Sequence, residues 1–143
     1  MPATYNTGMR YNIFALLLIV ALAAAITGCA SPAALPPQDA MDAANVTADT
    51  MFPALNSGDY GIFSQNFSPA MNAAMNESSF NELLGTLAGK YGKYKSRSAS
   101  PSAAVVGDYN VFVYTCQFEK SQVNLQLTMN KTNVTRVEGF FYR

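Results

Sequence analysis

The hydrophobic period of the chain changes once, and this change constrains the fold more than any other feature. Up to Tyr91 the apolar residues recur at the 3.6-residue spacing of helices, and beyond it they alternate at the period of two that strands show. Helices followed by strands favour an α+β class, with N-terminal helices packed on an antiparallel sheet of about four strands. A chain of 143 residues suits one domain.

Three or four helices are predicted between residues 39 and 91, because capping and stop residues divide this part of the chain. These residues are Pro53, Gly58, Asp59, Ser68, Pro69 and Gly92. The spacing of Ser79 and Glu82 is that of a capping box, which predicts that the last helix begins at Ser79.

The strand part contains one clear amphipathic strand, in which Val123, Leu125, Leu127 and Met129 alternate with polar residues. A preceding strand is predicted over residues 111–118, with a hairpin at residues 119–121. A second turn at residues 130–133 leads to a closing strand over residues 134–142. The Ser-rich segment 94–103 contains Pro101, so we expect an edge strand there at best.

Residues 1–28 have the pattern of a secretory signal peptide. Arg10 precedes an uncharged apolar run over residues 13–26, which is shorter than the ~20 residues that a spanning helix needs. Met9 is an alternative start to Met1, because Arg10 follows it directly.

The apolar run ends in Ile26-Thr27-Gly28-Cys29, which resembles the lipobox of prokaryotic lipoproteins. The resemblance implies cleavage before Cys29, lipidation of its thiol, and a place at the cell membrane facing outside the cytoplasm. A plain signal peptide and an uncleaved N-terminal anchor are the alternatives. Residues 29–38 are predicted to be the lipidated cysteine and a Pro-rich spacer, and residues 39–143 the single domain.

The composition argues against several classes of function. Nine basic residues balance nine acidic ones, so the chain lacks the excess of Lys and Arg that nucleic-acid binding requires. The chain has no His and only two Cys, and no metal-ligand spacing occurs in it, so we expect neither a metal nor another cofactor. Cys116 lies among apolar residues of a predicted strand, which favours a buried and inert thiol.

A series of motifs resembles a domain-of-unknown-function family of secreted bacterial and archaeal proteins and lipoproteins. The motifs are Leu55 to Tyr60, Phe67 to Met71, Tyr91 to Tyr94, Phe118 to Lys120, Val123 to Met129 and Val137 to Phe140. The resemblance covers residues 46–142 and implies a nuclear-transport-factor-2-like cone, in which a strongly bent antiparallel sheet cradles the helices. It implies no catalytic residues, because the family has none agreed.

Cone folds include isomerases that use a carboxylate base and a phenol donor. The candidate pocket groups for such chemistry are Asp59, Tyr60, Tyr114, Glu138 and Tyr142. Helix capping alone explains Asp59, and Glu138 lies on a strand with one face expected in solvent.

Two further patterns concern the surface. Four basic residues between Lys90 and Arg97 are interleaved with tyrosines, which favours contact with anionic lipid or simply a solvated helix end. Five Asn-x-Ser/Thr sequons occur, and for an archaeal source we expect glycosylation at Asn130 or Asn133, in a predicted exposed turn.

Three functional hypotheses follow. The first is a non-enzymatic, membrane-tethered extracytoplasmic domain that binds a small apolar ligand or a protein partner. The second is a small cone-fold isomerase or hydrolase that uses a pocket carboxylate and tyrosines. The third is a structural surface protein that forms a homodimer through its sheet.

Overall fold

The computed structural model describes residues 33–143, so the predicted signal peptide and Cys29 lie outside the described residues. Within residues 33–143 the helices are α1 (Gln38–Met51), α2 (Ala54–Ser57), α3 (Tyr60–Ser64), α4 (Pro69–Ala74) and α5 (Glu77–Tyr91). The strands follow as β1 (Tyr94–Arg97), β2 (Ser102–Val106), β3 (Tyr109–Phe118), β4 (Gln122–Asn130) and β5 (Val137–Tyr142). The predicted α+β class is confirmed. Each of these helices is too short or too polar to cross a bilayer.

Side-chain caps begin three of the helices. The Asp59 carboxylate accepts a hydrogen bond from the Ile62 amide at 3.0 Å, and the Ser68 hydroxyl accepts one from Met71 at 3.1 Å. The prediction of a capping box at Ser79 was wrong. Helix α5 begins earlier because the Asn76 side chain accepts from the Ser79 amide at 3.0 Å, which places Ser79 inside the first turn.

Pro53 interrupts the first helical segment, as the sequence predicts. Helix α1 ends at Met51, and α2 begins immediately after Pro53. The resulting corner directs Phe52 into the interior, where its ring lies edge-on to Tyr114 with centroids 5.5 Å apart. The break therefore supplies an aromatic contact between the helices and the sheet.

The sheet is antiparallel, in the order β1-β3-β4-β5, and β2 also pairs with β3. Strand β4 pairs along one edge of β3, and β1 and β2 share the other edge. There β1 pairs with the C-terminal half of β3 and β2 with its N-terminal half. The sheet therefore has five strands but is only four strands wide, where about four strands were expected. Residues 94–103, expected to form an edge strand at best, do lie at the sheet edge, but they contribute to two strands because β3 is long enough to pair with a separate strand on either side of Pro101.

The two faces of the sheet differ in what covers them. The buried side chains of the central strands face the helices and form one core with them: Phe112, Tyr114, Cys116, Phe118, Val123, Leu125, Leu127 and Met129. Two bulges, at Tyr94/Ser96 and Thr128/Met129, interrupt the pairing of the outer strands. Bulges bend strands, as the bent sheet implied by the family resemblance requires.

Asn110 is the exception to the apolar composition of the buried face of β3. Its side chain is fully buried, and within residues 33–143 neither its amide nitrogen nor its amide oxygen has a hydrogen-bond partner. Such a group costs about 1–3 kcal/mol of desolvation.

We therefore expect Asn110→Val to raise the free energy of unfolding by about 1 kcal/mol or more in chemical denaturation. Asn110→Asp is the matched control, because it buries a charge at the same place and should strongly destabilise the fold. A destabilising Asn110→Val substitution would show that the amide makes a favourable interaction.

Candidate functional site

The structure does not gather the five predicted pocket groups around one point. Asp59 and Tyr60 lie at the start of α3, whereas Tyr114 lies on the buried face of β3. Glu138 lies beside the bulge of β5, where it contacts Asn130 on the opposite face of the sheet. Tyr142 lies at the end of β5 and is 36% exposed. The Glu138 carboxylate and the Tyr114 phenol thus lie on opposite faces of the sheet and do not form an acid–base pair.

Four of these groups form hydrogen bonds that hold the fold together. Asp59 caps α3, and the Tyr60 hydroxyl donates to the carbonyl of Met75 at 2.8 Å. The Tyr114 hydroxyl donates to the Asn45 side chain at 3.1 Å, and Glu138 accepts from Asn130 at 3.2 Å. Burial raises the pKa of Tyr114 well above its usual range, so the phenol stays protonated.

Arg97 forms an ion pair that links β1 to α1. Its guanidinium donates two hydrogen bonds to the Asp49 carboxylate, at 2.8 and 2.9 Å, and lies 5.0 Å from the ring centroid of Tyr114. The hydrogen bond from Arg97 lowers the pKa of Asp49, against the opposing effect of burial. The cation is already neutralised and covers an aromatic ring, so its geometry is that of a structural clamp.

The other basic residues of the predicted cluster have different surroundings. The Lys90 ammonium lies 5.0 Å from the ring centroid of Tyr91, and Lys95 pairs with Glu119 at 3.5 Å. The backbone N–H of Lys93 donates to Glu119, and this hydrogen bond lowers the pKa of that carboxyl. Glu119 and Asp49 thus offset part of the positive charge that the sequence places together.

A small cleft lies between the helices and the β1 end of the sheet. Its volume is about 110 Å³, and its lining residues are Leu55, Asn56, Leu87, Ala88, Gly92, Lys93, Tyr94 and Phe118. Ligand pockets usually enclose about 300–1,000 Å³. The Asn56 amide inside it already pairs with both backbone groups of Tyr94, at 2.8 and 2.9 Å. The cleft has room for little more than water, and it contains none of the five predicted groups.

Cys116 is buried, as predicted, and burial raises the pKa of its thiol to about 12. A protonated thiol is a weak nucleophile, so Cys116 is unsuited to covalent chemistry. Within the described part of the chain, no three His, Cys, Asp or Glu side chains are close enough together to hold a metal ion.

The two favoured sequons differ in accessibility. Both amide atoms of Asn130 are engaged, with Glu138 and with the N–H groups of Thr132 and Asn133, and the residue is half-buried. Asn133 is exposed, and its side-chain oxygen accepts from the Thr135 hydroxyl at 3.0 Å. Glycosylation stays a prediction, and Asn133 is the more accessible of the two acceptors.

The centre of the sheet face opposite the core carries no charged side chain, and we call this surface the open sheet face. Its central residues are Val111, Val113, Gln126, Thr128 and Phe141, which are cross-strand neighbours on β3, β4 and β5. Phe141 is 61% exposed, whereas the other four are half-buried. An exposed aromatic ring among amide, hydroxyl and aliphatic groups is typical of binding surfaces.

Sequence reasoning missed both Phe141 and the Arg97 clamp. A bulge at Thr128/Met129 sets the register in which Phe140 pairs with Leu127 and Phe141 with Gln126, and no local pattern shows which of two adjacent phenylalanines is buried. The clamp joins residues that are 48 positions apart.

Comparison with known proteins gives one match. The profile of a family described as a protein of unknown function (DUF3887) matches residues 48–137, which cover the helices from the end of α1 and the sheet as far as the start of β5. Searches of curated proteins and of solved structures found no match. The chain therefore belongs to the DUF3887 family.

Proposed function

We propose that this protein is a membrane-tethered, extracytoplasmic binding domain without a catalytic role, anchored through a lipid on Cys29. The observation that carries the tether is the sequence Ile26-Thr27-Gly28-Cys29 at the end of an uncharged apolar run. A single acyl chain binds membranes marginally, whereas two chains hold a protein firmly. A diacylglyceryl-modified cysteine supplies two.

The candidate catalytic side chains already form hydrogen bonds within the fold, and this supports a binding role over catalysis. Enzymatic proton transfer requires a carboxyl and a phenol within reach of one substrate atom. Here Asp59 caps a helix in exposed surroundings, Glu138 pairs with Asn130, and Tyr114 is bonded to Asn45 inside the core. An isomerase or hydrolase would have to break these hydrogen bonds to use the groups.

A protein partner is supported over a small ligand. The cleft of about 110 Å³ is too small for most ligands, whereas the centre of the open sheet face carries no charge and has Phe141 exposed. Exposed aromatic side chains supply much of the binding energy of protein interfaces. We infer that the partner contacts Phe141 and its neighbours Val113 and Gln126.

The two cysteines give a matched test of the tether. Cells that express the full chain and are fed an alkyne-bearing fatty acid should incorporate the label into the wild-type protein. Cys29→Ser should abolish incorporation, whereas Cys116→Ser should retain it, because Cys116 is buried in the core. Labelling that survives Cys29→Ser would contradict the proposed anchor.

A photo-cross-linking residue at position 141 tests the binding surface. The full chain in intact cells should give a discrete cross-linked product from position 141 and none from position 62, where Ile62 is 43% exposed on the helical side. A product of two copies of the chain would instead support a homodimer through the sheet, the second candidate, which the exposed Phe141 also favours. Equal cross-linking at both positions would contradict a specific surface.

A further inference from the structure

We propose that an apolar surface at the β2–β3 edge of the open sheet face lies against the lipid bilayer when the chain is anchored. This surface, the anchor-side patch, consists of Leu35, Val106 and Tyr109. Tyr109 shares the open sheet face with Val111, whereas Phe141 lies on β5, at the opposite edge of the sheet. The inference rests on the proposed lipid at Cys29 and adds to it the orientation of the domain on the membrane.

The patch begins where the chain that follows Cys29 joins the folded domain. The carbonyl of Ala34 accepts a hydrogen bond from the backbone N–H of Val105 at 2.8 Å, which attaches the segment to the free edge of β2. Pro36, two residues later, is buried. The last residues of the predicted spacer are therefore fixed to the sheet.

The three residues of the patch lie at the β2 edge of the sheet. Leu35 follows Ala34, and Val106 follows Val105, so the hydrogen bond between Ala34 and Val105 places both residues at the β2 edge of the sheet. Tyr109 is the direct cross-strand partner of Val106 across the turn at Gly107 and Asp108. Directly opposed side chains on an antiparallel pair are in contact distance.

All three side chains are exposed to solvent. Leu35 is 77% exposed, Val106 58% and Tyr109 44%. The β2–β3 turn also meets the β4–β5 turn, where the N–H of Lys131 donates to the carbonyl of Asp108 at 3.0 Å. Asp108 and Lys131 thus place opposite charges beside the apolar patch, which suits the polar–apolar boundary of a bilayer without requiring anionic lipid.

The length of the tether selects the bilayer as the partner. Cys29 precedes Ala34 by five residues, and five fully extended residues span about 18 Å at most. Amphipathic surfaces bind with their apolar side chains about 5–10 Å inside the headgroup region, where tyrosine is enriched. An anchor this short keeps the patch close enough to the headgroup region for such insertion.

Cysteine labelling in the anchored protein tests the orientation. The full lipidated chain carries Val106→Cys or the control Val46→Cys, because Val46 has a similar exposure of 68% but lies on α1. Each variant is reconstituted into phosphatidylcholine vesicles and treated with a charged, membrane-impermeant maleimide. Cys116 contributes little background, because it is buried and its thiol has a raised pKa.

We expect Val106→Cys to react about tenfold more slowly than Val46→Cys, the factor that corresponds to about 1.4 kcal/mol of burial. Leu35→Cys should be protected in the same way. Equal rates at positions 106 and 46 in a chain whose mass includes the lipid would overturn the bilayer contact and leave the anchor intact. A chain without the lipid would overturn the anchor and the bilayer contact together.

Discussion

Replacing Phe63 with alanine should lower the free energy of unfolding by about 3–5 kcal/mol, which is a large part of the stability of an ordinary domain. Phe63 is 1% exposed and lies at the centre of an aromatic cluster. Its ring centroid is 4.4 Å from that of Phe80 and 5.3 Å from that of Phe140. Truncation would leave a cavity where α3, α5 and β5 meet.

Chemical denaturation of Phe63→Ala and of the neighbouring Ile62→Ala measures this effect. Ile62 is 43% exposed on the same short helix, so its truncation should cost less than about 1 kcal/mol. Similar losses for the two variants would mean that the effect comes from helix propensity and not from packing, which would contradict the aromatic cluster as the source.

Gly92→Ala should lower the free energy of unfolding by about 2–4 kcal/mol, because strain and a steric clash add at one position. Gly92 ends α5 with φ 78° and ψ −158°, a conformation that residues with a Cβ rarely adopt. An added Cβ would lie 2.6 Å from a carboxylate oxygen of Glu119. The substitution would also displace the hydrogen bond between Glu119 and the N–H of Lys93.

Gly89→Ala provides the control for this prediction. Gly89 is inside α5, and an added Cβ there meets no atom within 4 Å, so alanine should stabilise the helix by about 0.5–1 kcal/mol. Opposite signs for the two glycines in thermal or chemical unfolding are the expected result. A neutral Gly92→Ala would contradict the strained junction between α5 and β1.

The elements that local chemistry determines were predictable from the sequence. The hairpin at residues 119–121 and the one-sided strand Val123–Met129 follow from the period of two, and both are confirmed. The caps at Asp59 and Ser68 follow from short-range hydrogen bonding. The start of α5 was missed because Asn76 and Ser79 are both good capping residues, and the sequence does not show which one precedes the first turn.

Features that depend on pairing over long distances were not predictable. Whether residues 94–106 form one edge strand or two depends on the length of β3, which local propensity does not reveal. The pairing of Arg97 with Asp49 depends on the packing of β1 against α1. The sequence alone shows Arg97 only as a member of a basic cluster.

The candidate site illustrates the same limit. Tyr114 and Glu138 both lie on strands, but a carboxyl and a phenol form a site only if they lie on the same face of the sheet. The bulge that pairs Met129 with Val137 and Thr128 with Gly139 brings Glu138 to Asn130, away from the core that holds Tyr114. One extra residue in one strand thus separates groups that composition alone would place together.

Intact-mass analysis of the protein extracted from membranes tests the proposed tether most directly. We predict a chain that begins at Cys29 and carries a diacylglyceryl-sized increment on that residue. A mature chain that begins at any other residue, or one that begins at Cys29 without the lipid increment, would contradict the proposal.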